Sequence, residues 1–144
     1  MINQISVFLE NRPGALAEFA KHLQDKEIDL RALSLAETES FGIARLITDD
    51  AMSTVTALKD AGYICSLTSV VAVEVEDKPG ALVEILDALG SSNINLEYTY
   101  AFLAKKENSA FLALRVLDGE AAERVLNEHG IKPLTQDDLP DLFS

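Results

Sequence analysis

The sequence predicts an α+β fold made of two similar modules, and two observations lead to this expectation. The first is a repeat, because Pro13-Gly14-Ala15-Leu16 recurs as Pro79-Gly80-Ala81-Leu82, 66 positions later. At that offset, ten of the 24 aligned positions between residues 7–30 and 73–96 are identical. The second is that strand-like and helix-like periodicities alternate in the same order in both copies.

The elements of each copy follow from these periodicities. In the first copy, Ile5, Val7 and Leu9 alternate with polar residues and predict a strand. The Pro-Gly motif predicts a helix start, and apolar residues then recur at the spacing of one helix face. A second strand is expected to begin at Asp29 in one copy and at Asn95 in the other.

The rest of each copy is read in the same way. A polar turn, residues 37–40 or 105–109, is expected to lead into a third strand, residues 42–48 or 110–117. Arg45 and Arg115 align only at an offset of 70, which predicts about four extra residues in the second hairpin.

A second helix and a last strand complete each copy. Asp50 and Asp118 are suited to capping the start of that helix, and Gly62 and Gly130 to ending it. The order is β-α-β-β-α-β twice, which predicts two ferredoxin-like modules, each an antiparallel sheet with its helices on one face.

The repeat also sets the expected domain bounds. We expect residues 1–68 to form the first module and residues 69–144 the second. The acidic end of the chain, residues 136–144, is interpreted as a short appended tail exposed to solvent.

Composition narrows the classes of function. A net charge of −12 argues against nucleic acid or an anionic membrane as the main partner, because both require a basic surface. No apolar run approaches a membrane span, and the first residues lack signal-peptide features, so we expect a cytoplasmic protein. The one cysteine, Cys65, is expected to pack as a small apolar residue, and neither His22 nor His129 has ligand spacing. We therefore expect no metal and no cofactor.

The loop between the first strand and the first helix is the candidate site in each copy. A helix start favours an anion such as a carboxylate, and Gly14 and Gly80 allow a ligand to approach the backbone. Asp29 and Asn95 offer oxygens to an ammonium group. Together these features suit an amino-acid zwitterion, although the same loop is also a good turn and helix start without any ligand.

Both copies resemble the ACT domain, a small regulatory module of amino-acid enzymes. In the first copy the resemblance rests on a loop and helix start followed by the second strand: Glu10, Asn11, Arg12, Pro13, Gly14, Ala15, Leu16, Ile28, Asp29 and Leu30. In the second copy it rests on the corresponding positions: Glu76, Asp77, Lys78, Pro79, Gly80, Ala81, Leu82, Ile94, Asn95 and Leu96. The resemblance implies that an amino acid binds at an interface between modules, through residues 11–16, 29–30, 77–82 and 95–96.

The resemblance also implies which residues face one another. Carried over from the family's serine-type site, Asn11 would face Asn95, and Asp77 would face Asp29. The second pairing brings two carboxylates together, so the Asn11/Asn95 site is expected to be the better amino-acid site. Leu9 stands where the serine-type site has a histidine, so serine is not implied as the ligand.

The function that this resemblance implies is a stand-alone, non-catalytic regulator that binds an amino acid and signals to a partner. The alternatives are a module that only pairs with proteins, as a homodimer or with a regulated partner, and a small phosphate-ester hydrolase. The hydrolase is disfavoured because no nucleophile, base and orienting group can be assembled from repeated positions.

One aromatic stripe stays open to two interpretations. Tyr98, Tyr100 and Phe102 alternate along one predicted strand, where the first copy has small residues. They lie either on an open face of the sheet, as a partner surface, or in the core if the register is shifted by one residue.

Overall fold

The computed structural model describes residues 1–37 and 39–144, and it divides into two compact units. One unit is residues 3–68, and the other is residues 69–144 together with Met1 and Ile2. The strands are β1 (Ile2–Glu10), β2 (Leu30–Glu37), β3 (Phe41–Thr48), β4 (Cys65–Glu76), β5 (Tyr98–Phe102) and β6 (Ser109–Arg115). The helices are α1 (Ala15–Asp25), α2 (Ala51–Asp60), α3 (Ala81–Ser91), α4 (Gly119–Glu128) and α5 (Leu139–Phe143). Thr38, in the predicted polar turn, lies outside the described residues.

The first unit is a sheet with α1 and α2 on one face. Strand β3 lies between β1 and β2 and is antiparallel to both. Alternate residues of β1 point to the helices, so the predicted strand periodicity coincides with the core. The core residues are Ile5, Val7, Leu9, Phe19, Leu23, Ala44, Leu46, Ala51, Val55 and Leu58.

The second unit repeats this arrangement with α3 and α4. Strand β6 lies between β4 and β5, again antiparallel to both. The core residues are Val71, Val73, Ile85, Leu89, Leu114, Val116, Ala122 and Leu126. The Met1 ammonium group joins this unit, since it lies 3.0 Å from the Glu123 carboxylate. The predicted α+β class and the two ferredoxin-like modules are confirmed.

The last strand of the second copy is shorter than the sequence predicts. It is reduced to one bridge between Val73 and Pro133 and a hydrogen bond from Leu134 N–H to the Ala72 carbonyl, 2.8 Å long. Proline has no N–H to donate, so Pro133 limits the ladder at this position.

The strand register corrects the alignment of the two hairpins. Ile5 pairs with Leu46 and Val71 with Leu114, so the first strands are related by 66 positions and the third strands by 68. The second hairpin is therefore two residues longer than the first, not four. Arg45 and Arg115 do not occupy equivalent positions, and the alignment that joined them was wrong.

The ends of the second helix in each unit are formed as predicted. The Asp50 carboxylate accepts a hydrogen bond from Ser53 N–H, and the Asp118 carboxylate accepts one from Ala121 N–H, each 3.1 Å long. Gly62 and Gly130 follow these helices with φ of 90° and 76°, in the left-handed region that ends a helix without strain only for residues such as glycine.

The first helix of each unit begins two residues later than the proline suggests. Gly14 and Gly80 form the N-caps with φ of 85° and 88°, and the helices begin at Ala15 and Ala81. The proline therefore lies before the cap, in the turn. The second strands also begin later than predicted: β2 one residue after Asp29, and β5 three residues after Asn95.

The C-terminal tail is not a solvated end, so that interpretation was wrong. Leu139 and Phe143 are buried, since one helical turn places both on the same side of α5. The Lys105 N–H donates to the Leu142 carbonyl over 2.8 Å, which fixes the tail to the second unit. The acidic composition of this segment reflects only its outer face.

The strand register decides between the two interpretations of the aromatic stripe. Tyr98, Tyr100 and Phe102 pair with Arg115, Ala113 and Phe111, on the face away from α3 and α4. Phe102 is nevertheless buried, because its ring contacts those of Phe111 and Phe143, with centroids 5.6 and 6.5 Å apart. The open-face interpretation therefore gives the correct side of the sheet, but Phe102 is covered by the tail.

The buried tail gives a first prediction. Phe143→Ala should lower the free energy of unfolding by about 3 kcal/mol, because truncating a buried phenylalanine removes its transfer free energy and leaves a cavity. Phe8→Ala removes the same group from a half-exposed position and should cost less than half as much. Chemical denaturation of both variants measures the difference, and equal losses would show that the tail does not stabilise the fold.

The left-handed glycines give a second prediction. Gly14→Ala should destabilise the protein by about 1–2 kcal/mol, because a side chain at φ 85° is strained even though no atom lies near its Cβ position. Gly90→Ala, within helix α3, should instead stabilise by roughly 0.5–1 kcal/mol. Thermal unfolding distinguishes the two, and a neutral Gly14→Ala would contradict the assigned conformation.

Candidate functional site

The loop that follows the first strand has the same hydrogen bonds in both units. Asn11 N–H donates to the Ser40 carbonyl in one, and Asp77 N–H donates to the Asn108 carbonyl in the other, over 3.2 and 2.9 Å. The next residue in each loop, Arg12 or Lys78, donates its N–H to the carbonyl two positions earlier. These bonds hold each loop against the hairpin of its own unit.

Each loop leads into a helix that has no side-chain cap. Gly14 and Gly80 cannot supply one, so no side chain competes with an anion for the positive end of the helix dipole. The sequence predicted this property of the loop, although it placed the helix start at the proline. The first N–H group of each helix is already used, because Ala15 donates to the Arg12 carbonyl and Ala81 to the Lys78 carbonyl.

The predicted site residues fall into three groups. Two alanines are buried and anchor the helices to their own cores: Ala15 and Ala81. Two leucines, Leu30 and Leu96, pack at the edge of those cores. The others are exposed, namely Asn11, Arg12, Pro13, Gly14, Leu16, Asp29, Asp77, Lys78, Pro79, Gly80, Leu82 and Asn95. The loop residues of each copy lie together, whereas the pairing of one copy's loop with the other copy's strand stays a prediction.

Asp29 is engaged by an arginine of its own unit. Its carboxylate lies 3.2 Å from the Arg31 guanidinium, which also binds Asp49 at 2.7 Å. Arg31 has a mostly buried side chain, and its bond to Asp49 raises the pKa of the guanidinium. Asp29 and Asp49 therefore share one positive charge, and the charge of Asp29 is only partly compensated.

A small cleft lies beside Asn11 in the first unit. It has a volume of about 70 Å³ and is lined by Leu9, Glu10, Asn11, Arg12, Ala15, Leu16, Leu35, Glu37 and Gly42. Typical sites for small molecules enclose roughly 300–1,000 Å³, so this cleft alone cannot enclose an amino acid.

Arg12 is exposed, and its guanidinium is held by two carboxylates. Its Nε lies 2.7 Å from Glu10, and one of its terminal nitrogens lies 2.9 Å from Glu18. These bonds lower the pKa of Glu18, chiefly through the hydrogen bond from Arg12. Lys78, the counterpart of Arg12, forms an ion pair with Glu76, at 3.1 Å.

A larger groove lies on the other side of this loop, and sequence reasoning missed it. Its volume is about 640 Å³, and it is lined by Phe8, Leu9, Glu10, Arg12, Ala15, Glu18, Phe41, Gly62, Tyr63 and Ile64. These residues come from β1, α1, β3 and the turn before β4, so no local pattern brings them together. The only available signal was the apolar character of three outward-facing positions: Phe8, Phe41 and Ile64.

The cysteine and the two histidines, which could in principle bind a metal or react, are accounted for by packing and backbone contacts. Among residues 1–37 and 39–144, no three His, Cys, Asp or Glu side chains are grouped as a metal site, and no helix has the length and apolarity to cross a membrane. Cys65 packs against the first core, and burial raises the pKa of its thiol. The His129 ring contacts the Val125 carbonyl at the end of α4, and His22 packs edge-on against Tyr63.

The Arg12 cluster gives a prediction about pH. Arg12→Gln should raise the pKa of Glu18 toward its ordinary value, because the hydrogen bond that favours the carboxylate is lost. The folded pKa is lowered, so the pair stabilises above the unfolded pKa of Glu18 and ceases to do so as pH falls through the folded value. The stability difference between wild type and variant should therefore shrink in acid.

An NMR pH titration of the Glu18 side chain measures this change. Arg31→Gln is the control, since Arg31 binds Asp29 and Asp49 instead. A Glu18 titration that is the same in the Arg12→Gln variant and the wild type would contradict the pairing.

Comparison with known proteins identifies the family. The family profile described as an ACT domain pair matches residues 1–143. A crystal structure of a protein from Bacteroides thetaiotaomicron has 35% sequence identity and a TM-score of 0.87, covering 96% of this chain and 94% of that one. No curated protein matches this chain.

More distant structures share the fold. The ligand-free regulatory subunit of aspartate kinase from Thermus thermophilus has 18% identity and a TM-score of 0.63, covering 88% of this chain and 91% of that one. The corresponding subunit from Thermus flavus has 15% identity and a TM-score of 0.58, covering 90% and 94%. The repeated loop, the two ferredoxin-like units and the profile match lead to one conclusion: this chain belongs to the family of ACT domain pairs.

Proposed function

We propose that this protein is a non-catalytic regulator that binds a free amino acid at its ACT modules and transmits the binding to a protein partner. The observation that carries the proposal is the loop built alike in both units. A left-handed glycine starts an uncapped helix there, next to an exposed polar side chain, Asn11 or Asp77.

This arrangement suits the two charged ends of an amino acid. The helix N-terminus favours the α-carboxylate, and side-chain oxygens such as that of Asn11 accept hydrogen bonds from the α-ammonium group. The cleft beside Asn11 is too small to enclose the ligand, which supports completion of the site by another module. That Asn11 acts with Asn95, and Asp77 with Asp29, is part of the proposal.

The two predicted pairings differ in charge. The Asn11 pairing brings two neutral amides together, whereas the Asp77 pairing adds a carboxylate next to Asp29, which already shares the one positive charge of Arg31 with Asp49. A further carboxylate near Asp29 is therefore disfavoured when both are ionised. We infer that Asn11 marks the better amino-acid site.

A thermal-shift screen of the twenty amino acids tests the proposal. At a concentration of 100 times its Kd, a ligand bound only to the folded protein adds about 2.7 kcal/mol to the free energy of unfolding. At least one amino acid should therefore raise the melting temperature, and calorimetry should confirm the binding.

Variants of the two asparagines locate the site. Asn11→Ala and Asn95→Ala should each weaken binding of the amino acid that the screen identifies. The matched control is Asn127→Ala, an exposed asparagine on helix α4, which should leave binding unchanged. Binding that persists in both site variants would refute the assigned site, and a screen without any shift would favour a module that only pairs with proteins.

A further inference from the structure

The groove beside the first loop is a second cavity on the same unit, next to the cleft at Asn11, with which it shares part of its lining. We propose that it binds a segment of a protein partner that presents an aromatic or aliphatic side chain flanked by basic residues. The amino-acid proposal concerns the loop and the first turn of α1. The groove includes Arg12, Ala15 and Glu18 from that region, but it extends beyond them to β1, β3 and the turn before β4.

The apolar part of the groove is exposed and contiguous. Phe8, Phe41 and Ile64 are 47%, 42% and 71% exposed, and the rings of Phe8 and Phe41 have centroids 5.9 Å apart. Phe8 N–H donates to the Ile64 carbonyl over 3.0 Å, which holds the third residue next to the first. Large apolar side chains clustered on a surface typically mark an interaction site.

The second unit is an internal control for this cluster. Glu10 pairs with Phe41 and Glu76 pairs with Ser109, so Ser109 is the counterpart of Phe41. The same equivalence makes Glu74 the counterpart of Phe8, and it makes Lys132 the counterpart of Ile64.

All three positions are polar in the second unit, although the backbone arrangement is the same. Its groove has a volume of about 380 Å³ and is lined by charged residues that include Glu74, Lys78 and Lys132. The Glu74 carboxylate is bound by Lys106 over 2.8 Å. The fold therefore does not require apolar residues at these positions, and the aromatic groove is a property of the first unit alone.

The charges at the rim set the partner's chemistry. Glu10 and Glu18 flank one guanidinium, that of Arg12, so the rim carries one net negative charge. The whole chain carries −12. Complementary charge both speeds association and suppresses wrong partners, so a basic segment is favoured over an acidic one.

The floor of the groove is firm enough to receive an anchor side chain. Tyr63 is fixed edge-on against Phe19 and His22, with centroids 5.4 and 5.5 Å apart. Burial raises the pKa of Tyr63, so its hydroxyl stays protonated at neutral pH and is available as a donor. An aromatic side chain of the partner would thus contact the rings of Phe8, Phe41 and Tyr63. The basic residues on either side of it would lie near the carboxylates of Glu10 and Glu18.

The test uses a capped tripeptide, acetyl-Lys-Trp-Lys-amide, titrated into the full chain and followed by amide chemical shifts. The capped ends remove the free amino-acid charges, so failure of amino-acid sensing does not affect this result. Shifts should concentrate at residues 8–12, 41 and 62–64. Acetyl-Lys-Ser-Lys-amide lacks the aromatic anchor and should bind at least about tenfold more weakly than the Lys-Trp-Lys peptide. Acetyl-Glu-Trp-Glu-amide lacks the basic residues and should bind about threefold more weakly than the Lys-Trp-Lys peptide at low salt.

The matched variant exchanges the groove for that of the second unit. Phe8→Glu, Phe41→Ser and Ile64→Lys together should weaken the Lys-Trp-Lys peptide at least about tenfold. Leu117→Ser, at an exposed leucine in the second unit, is the control and should bind as the wild type does. If the triple variant does not fold, Ile64→Lys alone serves, since that residue is the most exposed of the three.

Three outcomes would overturn the proposal. One is that the exchange has no specific effect, seen either as binding within twofold of the wild type in the exchanged variant or as equal weakening in Leu117→Ser. Another is equal affinity for the Lys-Trp-Lys and Glu-Trp-Glu peptides. The third is sedimentation showing that wild type self-associates and the exchanged variant does not, because a second copy would then be the occupant.

Discussion

The left-handed glycine before the first helix is the constraint on which the rest of each unit depends. At Gly14 and Gly80 the chain leaves a strand and enters a helix within a few residues, and only this conformation brings the following alanine onto the core. The same turn leaves the helix N-terminus uncapped and sets Arg12 between Glu10 and Glu18. Fold, anion-binding capacity and rim charge therefore share one local cause.

Comparison of the two units shows which residues the fold requires and which surface residues can differ. Both units keep the glycine turn, the aspartate caps and the aliphatic core face, because each unit must bury its own helices. The groove positions have diverged: Phe8 and Phe41 of the first unit correspond to Glu74 and Ser109 of the second. In the second unit the aromatic residues lie instead under α5, where Phe102 and Phe111 are buried.

The sequence predicts correctly those features that depend on a few neighbouring residues. The repeat, the strand alternation and the caps at Asp50 and Asp118 follow from local rules and are confirmed. The alignment of Arg45 with Arg115 failed because an identical residue outweighed strand register, which no local pattern reveals. The interpretation of the tail as solvent-exposed was wrong for a related reason. It rested on the acidic residues, whereas Leu139 and Phe143 come to lie on one side only when the helix forms.

The cleft at Asn11 and the aromatic groove share walls, which connects binding at one to the state of the other. Leu9, Glu10, Arg12 and Ala15 line both cavities. A carboxylate that attracted Arg12 from the cleft side would weaken its bonds to Glu10 and Glu18, and so change the charge at the groove rim. Such coupling is a free energy between two sites and must act equally in both directions. A partner seated in the groove would therefore alter affinity for an amino acid as much as the amino acid alters affinity for the partner.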